Sequence, residues 1–187
     1  MKNKLGGNIT NYKNFVRSYK DFPKKDVLFW DFTYLLKDVE ARRNAINEIK
    51  EFLKDKKVDK IAAIESKGFT IGSILAYELD LPLVLIRKPN LIPGNYYSET
   101  FVKEYGTAEY QIKEDAIEEN ENVVIVYDIM AGSGAIKAGI NLVKKCGGNI
   151  SGLVYITELE YLNGREDLKD YDIFSLVKVE EKKWLKY

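Results

Sequence analysis

Apolar and polar positions follow two different periods along this chain. Val39, Ala45, Ile46, Ile49, Phe52 and Leu53 recur three and four apart, the spacing of one face of a helix. Further helices are predicted from about Phe69 to Leu79, and from the loop holding Gly132 and Gly134 to Cys146, before Gly147-Gly148. Between them stand short, almost wholly apolar runs: Lys60–Ile64 (KIAAI), Leu83–Ile86 (LVLI), Val123–Val126 (VVIV), Leu153–Ile156 and Ile173–Val177. Such runs, alternating with amphipathic helices, predict an α/β fold whose parallel sheet is covered on both faces. Ile9, Tyr12, Phe15, Val16 and Tyr19 also fall at helical spacing and predict an N-terminal helix to about Tyr19, with Pro23 in the break beyond it. Asp21–Leu36 has too little periodicity for a core element and is expected to cap one sheet edge. Tyr96–Ile112 is polar, tyrosine-rich and roughly alternating, which suits an antiparallel flap.

Composition narrows the chemistry. At 187 residues the chain is expected to form one domain, 1–187, with a core that needs no disulfide or zinc staple. It has no histidine, which excludes Ser-His and Cys-His relays and imidazole acid/base work. Cys146 is the single cysteine, so no intrachain disulfide or thiolate cluster can form, as suits a reducing cytosol. Lys and Arg total 29 against 29 Asp and Glu, a balance that argues against bulk electrostatic binding of nucleic acid. No apolar run approaches the roughly 18 residues of a membrane span, and the Met1–Gly7 segment has no apolar stretch behind it; a cytoplasmic protein is expected. Catalysis is left to carboxylates, Lys/Arg, hydroxyls, backbone amides or a carried metal.

In an open α/β sheet, ligands bind beyond the carboxyl ends of the strands. After VVIV come Tyr127-Asp128 and the small-residue loop Ala131-Gly132-Ser133-Gly134-Ala135, then a helix. Unpaired amides at a helix start attract phosphate, and an Asp at a strand tip can hold a vicinal diol; glycines serving an ordinary tight turn remain an equal reading. After KIAAI come Glu65-Ser66-Lys67, and after LVLI come Arg87-Lys88, each able to attract a second anionic group. Exposed cations are common, but three strand tips in one sheet carry such a feature.

In order along the chain stand Asp21-Phe-Pro23, Val27-Leu-Phe-Trp-Asp31, Ile64-Glu-Ser-Lys-Gly-Phe69, Leu85-Ile-Arg-Lys-Pro89, Lys103-Glu-Tyr-Gly106, Val123–Ala135, Glu158 and Leu162-Asn-Gly-Arg-Glu166. Together they resemble the adenine phosphoribosyltransferase family. The resemblance implies a type I phosphoribosyltransferase fold: a parallel sheet flanked by helices, a small N-terminal hood (with its helix, about 8–36) and a mobile flap (about 96–112). It implies a homodimer and purine salvage with Mg2+ carried by the substrate: adenine plus phosphoribosyl pyrophosphate gives AMP and pyrophosphate. By position, Glu65, Ser66 and Lys67 would form the pyrophosphate loop, with Arg87 and Lys88 as further cations. Asp128 would hold a ribose hydroxyl, and Ala131, Gly132, Ser133, Gly134 and Ala135 would cradle the 5′-phosphate. Phe29 would stack on adenine, with Leu28 and Trp30 beside it. Glu104 on the flap, next to Tyr105, would approach the purine N7 as the catalytic group.

The chain departs from the family pattern where the sugar phosphate should sit. Two adjacent acids followed by Ala-Thr-Gly-Gly-Thr are usual; here Tyr127 replaces the first acid and Ala135 a hydroxyl. Lys67 stands for a usual Arg, Leu91 for a Lys and Trp30 for an Arg. Two alternatives therefore stay open: a catalytically weak sensor of nucleotide or phosphoribosyl pyrophosphate, and transfer to another purine.

Overall fold

The computed structural model describes residues 11–102 and 106–181. In chain order it contains β1 (Arg17–Lys20), β2 (Leu28–Asp31), α1 (Thr33–Lys37), α2 (Val39–Leu53), β3 (Lys60–Ile64), α3 (Gly68–Leu79) and β4 (Leu83–Ile86). There follow β5 (Tyr96–Val102), β6 (Thr107–Lys113), β7 (Asn122–Met130), α4 (Gly134–Lys145), β8 (Asn149–Leu159) and β9 (Ile173–Val179). The central sheet has the order β4-β3-β7-β8-β9 and is parallel throughout. The apolar runs are its strands because both faces of the sheet are covered, and only at the edge strand β4 does a position, Leu85, face outward. Among the described residues, no helix is long and apolar enough to cross a membrane.

Strand alternation divides the core in two. Val124, Val126, Val154 and Ile156 face α2, α3 and the N-terminal segment. Val123, Ile125, Leu153 and Tyr155 face α4 and the flap residues Phe101, Tyr110 and Ile112. The flap is the antiparallel pair β5–β6, joined to β4 by an Arg87–Gln111 bridge.

The N-terminal segment differs from the expected helix. Tyr12–Phe15 makes a single 3-10 turn, and Arg17–Lys20 is a strand paired antiparallel with β2, Ser18 opposite Trp30. Few apolar residues over so short a span fit either period, and the long-range pairing decides. Nor is Asp21–Leu36 only a cap: Trp30, Phe32 and Leu35 are buried in the first core. The first residues of the expected helix, 8–10, lie outside the described residues.

α3 lies close enough to the sheet that a Cβ on Gly72 would stand 2.6 Å from the Ala63 Cβ. Gly72→Ala is expected to destabilise the fold by about 1–2 kcal/mol, because overpacking outweighs the better helix propensity. A melting temperature that rises in this variant would show that α3 moves off β3 without cost.

Candidate active site

The carboxyl ends of β3, β4 and β7 lie side by side, so three loops separated in sequence converge. At the β7 tip, period-two alternation sends adjacent side chains to opposite faces. Asp128 is buried, and its Oδ2 accepts an ion-pair contact from the Lys67 ammonium at 3.0 Å. The same ammonium donates to the Trp30 carbonyl at 3.4 Å and stands 4.8 Å from the centre of the Phe29 ring. Lys67, Asp128 and Phe29 therefore meet at one point, where β2 comes over the sheet. The Trp30 indole points elsewhere: it is buried in the first core, so of the expected base-site residues Trp30 offers only backbone. Leu28 and Phe29 are half-buried, and Phe29 packs edge-on against Phe22, with ring centres 5.1 Å apart.

The β3 and β4 tips are tied together. Glu65 Oε2 accepts from Arg87 Nε at 3.2 Å and from the Lys88 backbone N–H at 3.1 Å. The Glu65 carboxylate is thus engaged within the protein, and it orients Arg87, which also donates to the Leu91 carbonyl at 3.4 Å. Within the expected pyrophosphate loop Ser66 is exposed, whereas the Lys67 ammonium is turned to Asp128 and the Trp30 carbonyl; the Lys88 side chain is exposed nearby.

The Ala131–Ala135 loop opens α4, whose first amides lack intrahelical partners. Ala131 and Gly132 are exposed. Ser133 does not turn its hydroxyl into the loop: it donates to Asp167 Oδ2 at 2.5 Å, and Lys137 pairs with the same oxygen at 3.0 Å. The Ser133 hydroxyl and the Lys137 ammonium hold the Asp167 carboxyl below the usual carboxylate range. Gly134 is required where it stands, because a Cβ there would lie 2.9 Å from the Val102 carbonyl of β5. The flap thus lies against the loop. Between them is a cavity of about 410 Å3, lined by Phe101, Val102, Tyr127, Ile129, Ala135 and Leu162 among others. A larger hollow of about 720 Å3, beside Tyr77 and Pro82, lies at the amino end of β4, away from these tips.

Tyr127 occupies the flap side of β7. Its hydroxyl lies 3.2 Å from that of Tyr110 on β6, and its ring centre is 6.4 Å from that of Tyr155. Burial, reinforced by the neighbouring Tyr110 and Asp128, pushes its phenol well above the ordinary range, so it is neutral at any physiological pH. The family's extra carboxylate is therefore replaced by a clasp between the central sheet and the flap. Glu158, at the β8 tip, is buried and receives a bidentate grip from Arg165, 2.7 Å from Nε and 2.9 Å from Nη2.

Sequence reasoning brought Lys67, Asp128, Phe29 and the 131–135 loop to this end of the sheet, but missed the ties that hold them. Asp167, Tyr110 and Arg165 carried no local signal for their partners. Glu104 and Tyr105 lie outside the described residues.

Residues 36–185 match the family model for the phosphoribosyl transferase domain. Adenine phosphoribosyltransferase of Thermotoga neapolitana is 43% identical over 165 residues, which cover 88% of this chain and 97% of that protein. The crystal structure of adenine phosphoribosyltransferase from Thermoanaerobacter pseudethanolicus has a TM-score of 0.86 and 41% identity, covering 90% of this chain and 98% of that one. The Saccharomyces cerevisiae enzyme, solved in complex with an imino-altritol bisphosphate and adenine, has a TM-score of 0.81 and 32% identity over 88% of this chain and 96% of its own.

Proposed function

This chain belongs to the phosphoribosyltransferase family, and we propose that it transfers the ribose 5-phosphate group of phosphoribosyl pyrophosphate to adenine, giving AMP and pyrophosphate. One observation carries the reading: a carboxylate (Asp128), an ammonium (Lys67) and an aromatic face (Phe29) meet at the β7 tip, next to a helix-opening loop. These are the groups needed to hold a diol, a leaving pyrophosphate, a purine and a 5′-phosphate. The relatives named adenine phosphoribosyltransferase favour catalysis over the sensor reading and adenine over another purine.

In the reaction the bond from C1′ to pyrophosphate breaks, the sugar passes through a cation-like state, and the purine nitrogen attacks and loses its proton. Positioning and charge neutralisation supply most of the catalysis. Asp128 orients the sugar through a hydroxyl. The ammonium of Lys67 turns from Asp128 to the pyrophosphate oxygens, joined by Arg87, which Glu65 holds in place, and Lys88. Amides of the 131–135 loop receive the 5′-phosphate, Phe29 stacks on adenine, and the flap excludes water from the cation-like centre. Glu104 is assigned to the purine N7 edge by its place in the family motif.

Among the described residues no group of three or more Asp, Glu or Cys side chains forms a metal cage. Mg2+ carried on the donor's own oxygens would need no such cage, and Asp128 would be the carboxylate offered to the donor at this site. The ion would neutralise the leaving pyrophosphate, and Mg2+ commonly keeps such substrate ligands. A cytoplasmic homodimer belongs to the same proposal: the lone Cys146 suits a reducing compartment, and Leu85 and Leu91 leave apolar surface at the edge strand β4. The test is incubation of the purified protein with Mg2+, phosphoribosyl pyrophosphate and, in turn, adenine, hypoxanthine, guanine and xanthine. AMP is the expected product. Tight donor binding without turnover of any base would instead establish the sensor.

A further inference from the structure

On the transferase reading just given, we propose that Tyr127 is a positioning residue: its hydroxyl, bonded to that of Tyr110, fixes the flap strand β6 beside the strand tips and so keeps water from the sugar carbon while pyrophosphate leaves. The next residue along β7 is Asp128, the carboxylate assigned to the sugar, so the flap is fastened one residue away from the group that holds the substrate. The two phenol oxygens lie 3.2 Å apart. Among the described residues, each has only the other as a hydrogen-bond partner. Tyr110 is 4% exposed, and burial raises both phenols above their ordinary range. Both therefore keep their protons, and the bond persists at any physiological pH.

The other ties of the flap show why this bond decides where β6 lies. β5 is fastened to α4: the Lys145 ammonium meets the Glu99 carboxylate and the Ser98 carbonyl, each at 2.8 Å. β6 joins the central sheet through the Arg87–Gln111 bridge. From Gln111 back to Thr107, where the described part of β6 begins, the Tyr110–Tyr127 pair is the hydrogen bond that ties this strand to the sheet. Tyr110 also lies against Phe101, with ring centres 4.9 Å apart, and Ala108 packs on the same core. Apolar contacts have no preferred direction and permit sliding that an O–H···O bond opposes. A displaced strand admits water to the cation-like carbon. The water oxygen then forms a bond to C1, pyrophosphate departs with the electrons of its C1–O bond, and a proton passes to solvent, leaving ribose 5-phosphate.

The test compares Tyr127→Phe, Tyr110→Phe and the double variant with the native chain. With Mg2+ and phosphoribosyl pyrophosphate but no purine, each variant is expected to release ribose 5-phosphate roughly three- to tenfold faster than the native chain, the factor carried by one neutral hydrogen bond. The double variant should be no faster than either single one. Hydrogen exchange of the free chain should quicken by a similar factor in the β6 amides, 107–113, and not in β8. Melting temperatures separate this role from a merely structural one. Each single substitution strands a buried hydroxyl, whereas the double one leaves two apolar rings, so the double variant should melt above both singles and still show the raised hydrolysis. Should a single variant not fold, the double variant carries the measurement. Native-like hydrolysis in the double variant, or unchanged exchange in β6, overturns the proposal. If the native chain forms no AMP when adenine is added, the transferase reading falls, while hydrolysis and exchange still decide this inference.

Discussion

Asp128→Asn is expected to lower kcat/KM for phosphoribosyl pyrophosphate roughly ten- to a hundredfold, with a smaller effect on the KM for adenine. The amide keeps the shape of the side chain and removes its charge. A hydrogen bond to a charged acceptor contributes about 1.5–3 kcal/mol, and each 1.4 kcal/mol is a factor of ten. The side chain is buried at the β7 tip, where water screens such a bond weakly. The amide can turn its oxygen to the Lys67 ammonium, which now stands 3.0 Å from the carboxylate, but only as a neutral acceptor. Lys67 is partly exposed and can turn to solvent, so the fold should lose little and the defect should appear in donor kinetics. Initial rates at saturating adenine and varied donor measure it. A donor kcat/KM equal to that of the native chain would show that another group holds the sugar.

The central sheet was legible because burial on both faces leaves a mark on every residue of a strand. VVIV has no polar position and KIAAI only Lys60 at its start, and each lies in a strand of the parallel sheet. The hood was not legible for the opposite reason. Tyr12 and Val16 are buried at a helical interval, yet Ser18 is also buried, and what fixes Arg17–Lys20 as a strand is pairing with residues Leu28–Asp31. Period alone cannot decide between structures when only a few apolar positions are available. At the site, strand-tip residues could be found by topology, since a loop after a parallel strand must lie at the ligand-binding end. The identities of their partners could not. Arg87 meets Glu65 across 22 residues, and Asp167 meets Ser133 across 34. These are properties of the assembled fold, and they decide which charges remain free for a substrate. Tyr127 shows the consequence: read along the chain it stands for a missing acid, and in the fold it joins β7 to the flap.

Arg165→Met is expected to cost about 3 kcal/mol of stability at neutral pH, more than the converse change Glu158→Gln. The two partners are unequally buried: the Glu158 side chain is 3% exposed and that of Arg165 is 39% exposed. Removing one member of a buried pair costs about 3–5 kcal/mol when the charge left behind cannot reach water. Without Arg165 the stranded group is Glu158, fixed on β8; without Glu158 it is an arginine already near solvent. In the native chain, burial is the largest single influence on Glu158 and opposes its ionisation. The bonds from Arg165 and Ser175 and the charges of Arg165 and Lys178 together outweigh that effect and hold its carboxyl below the ordinary range. A depressed folded-state pKa adds stability above the ordinary carboxyl value, near pH 4.3, and that stability is lost as pH falls through the folded value. In the variant burial acts without Arg165 to offset it, the carboxyl titrates upward, and acidification relieves the penalty. The gap between native and variant chains in urea denaturation should therefore be widest near pH 7 and narrow towards pH 4.5. A gap that stays constant over this range would assign the loss to packing of the Arg165 stem rather than to a stranded charge. The same substitution loosens the turn that carries Asp167, and through it Ser133, so the KM for the donor should rise together with the loss of stability.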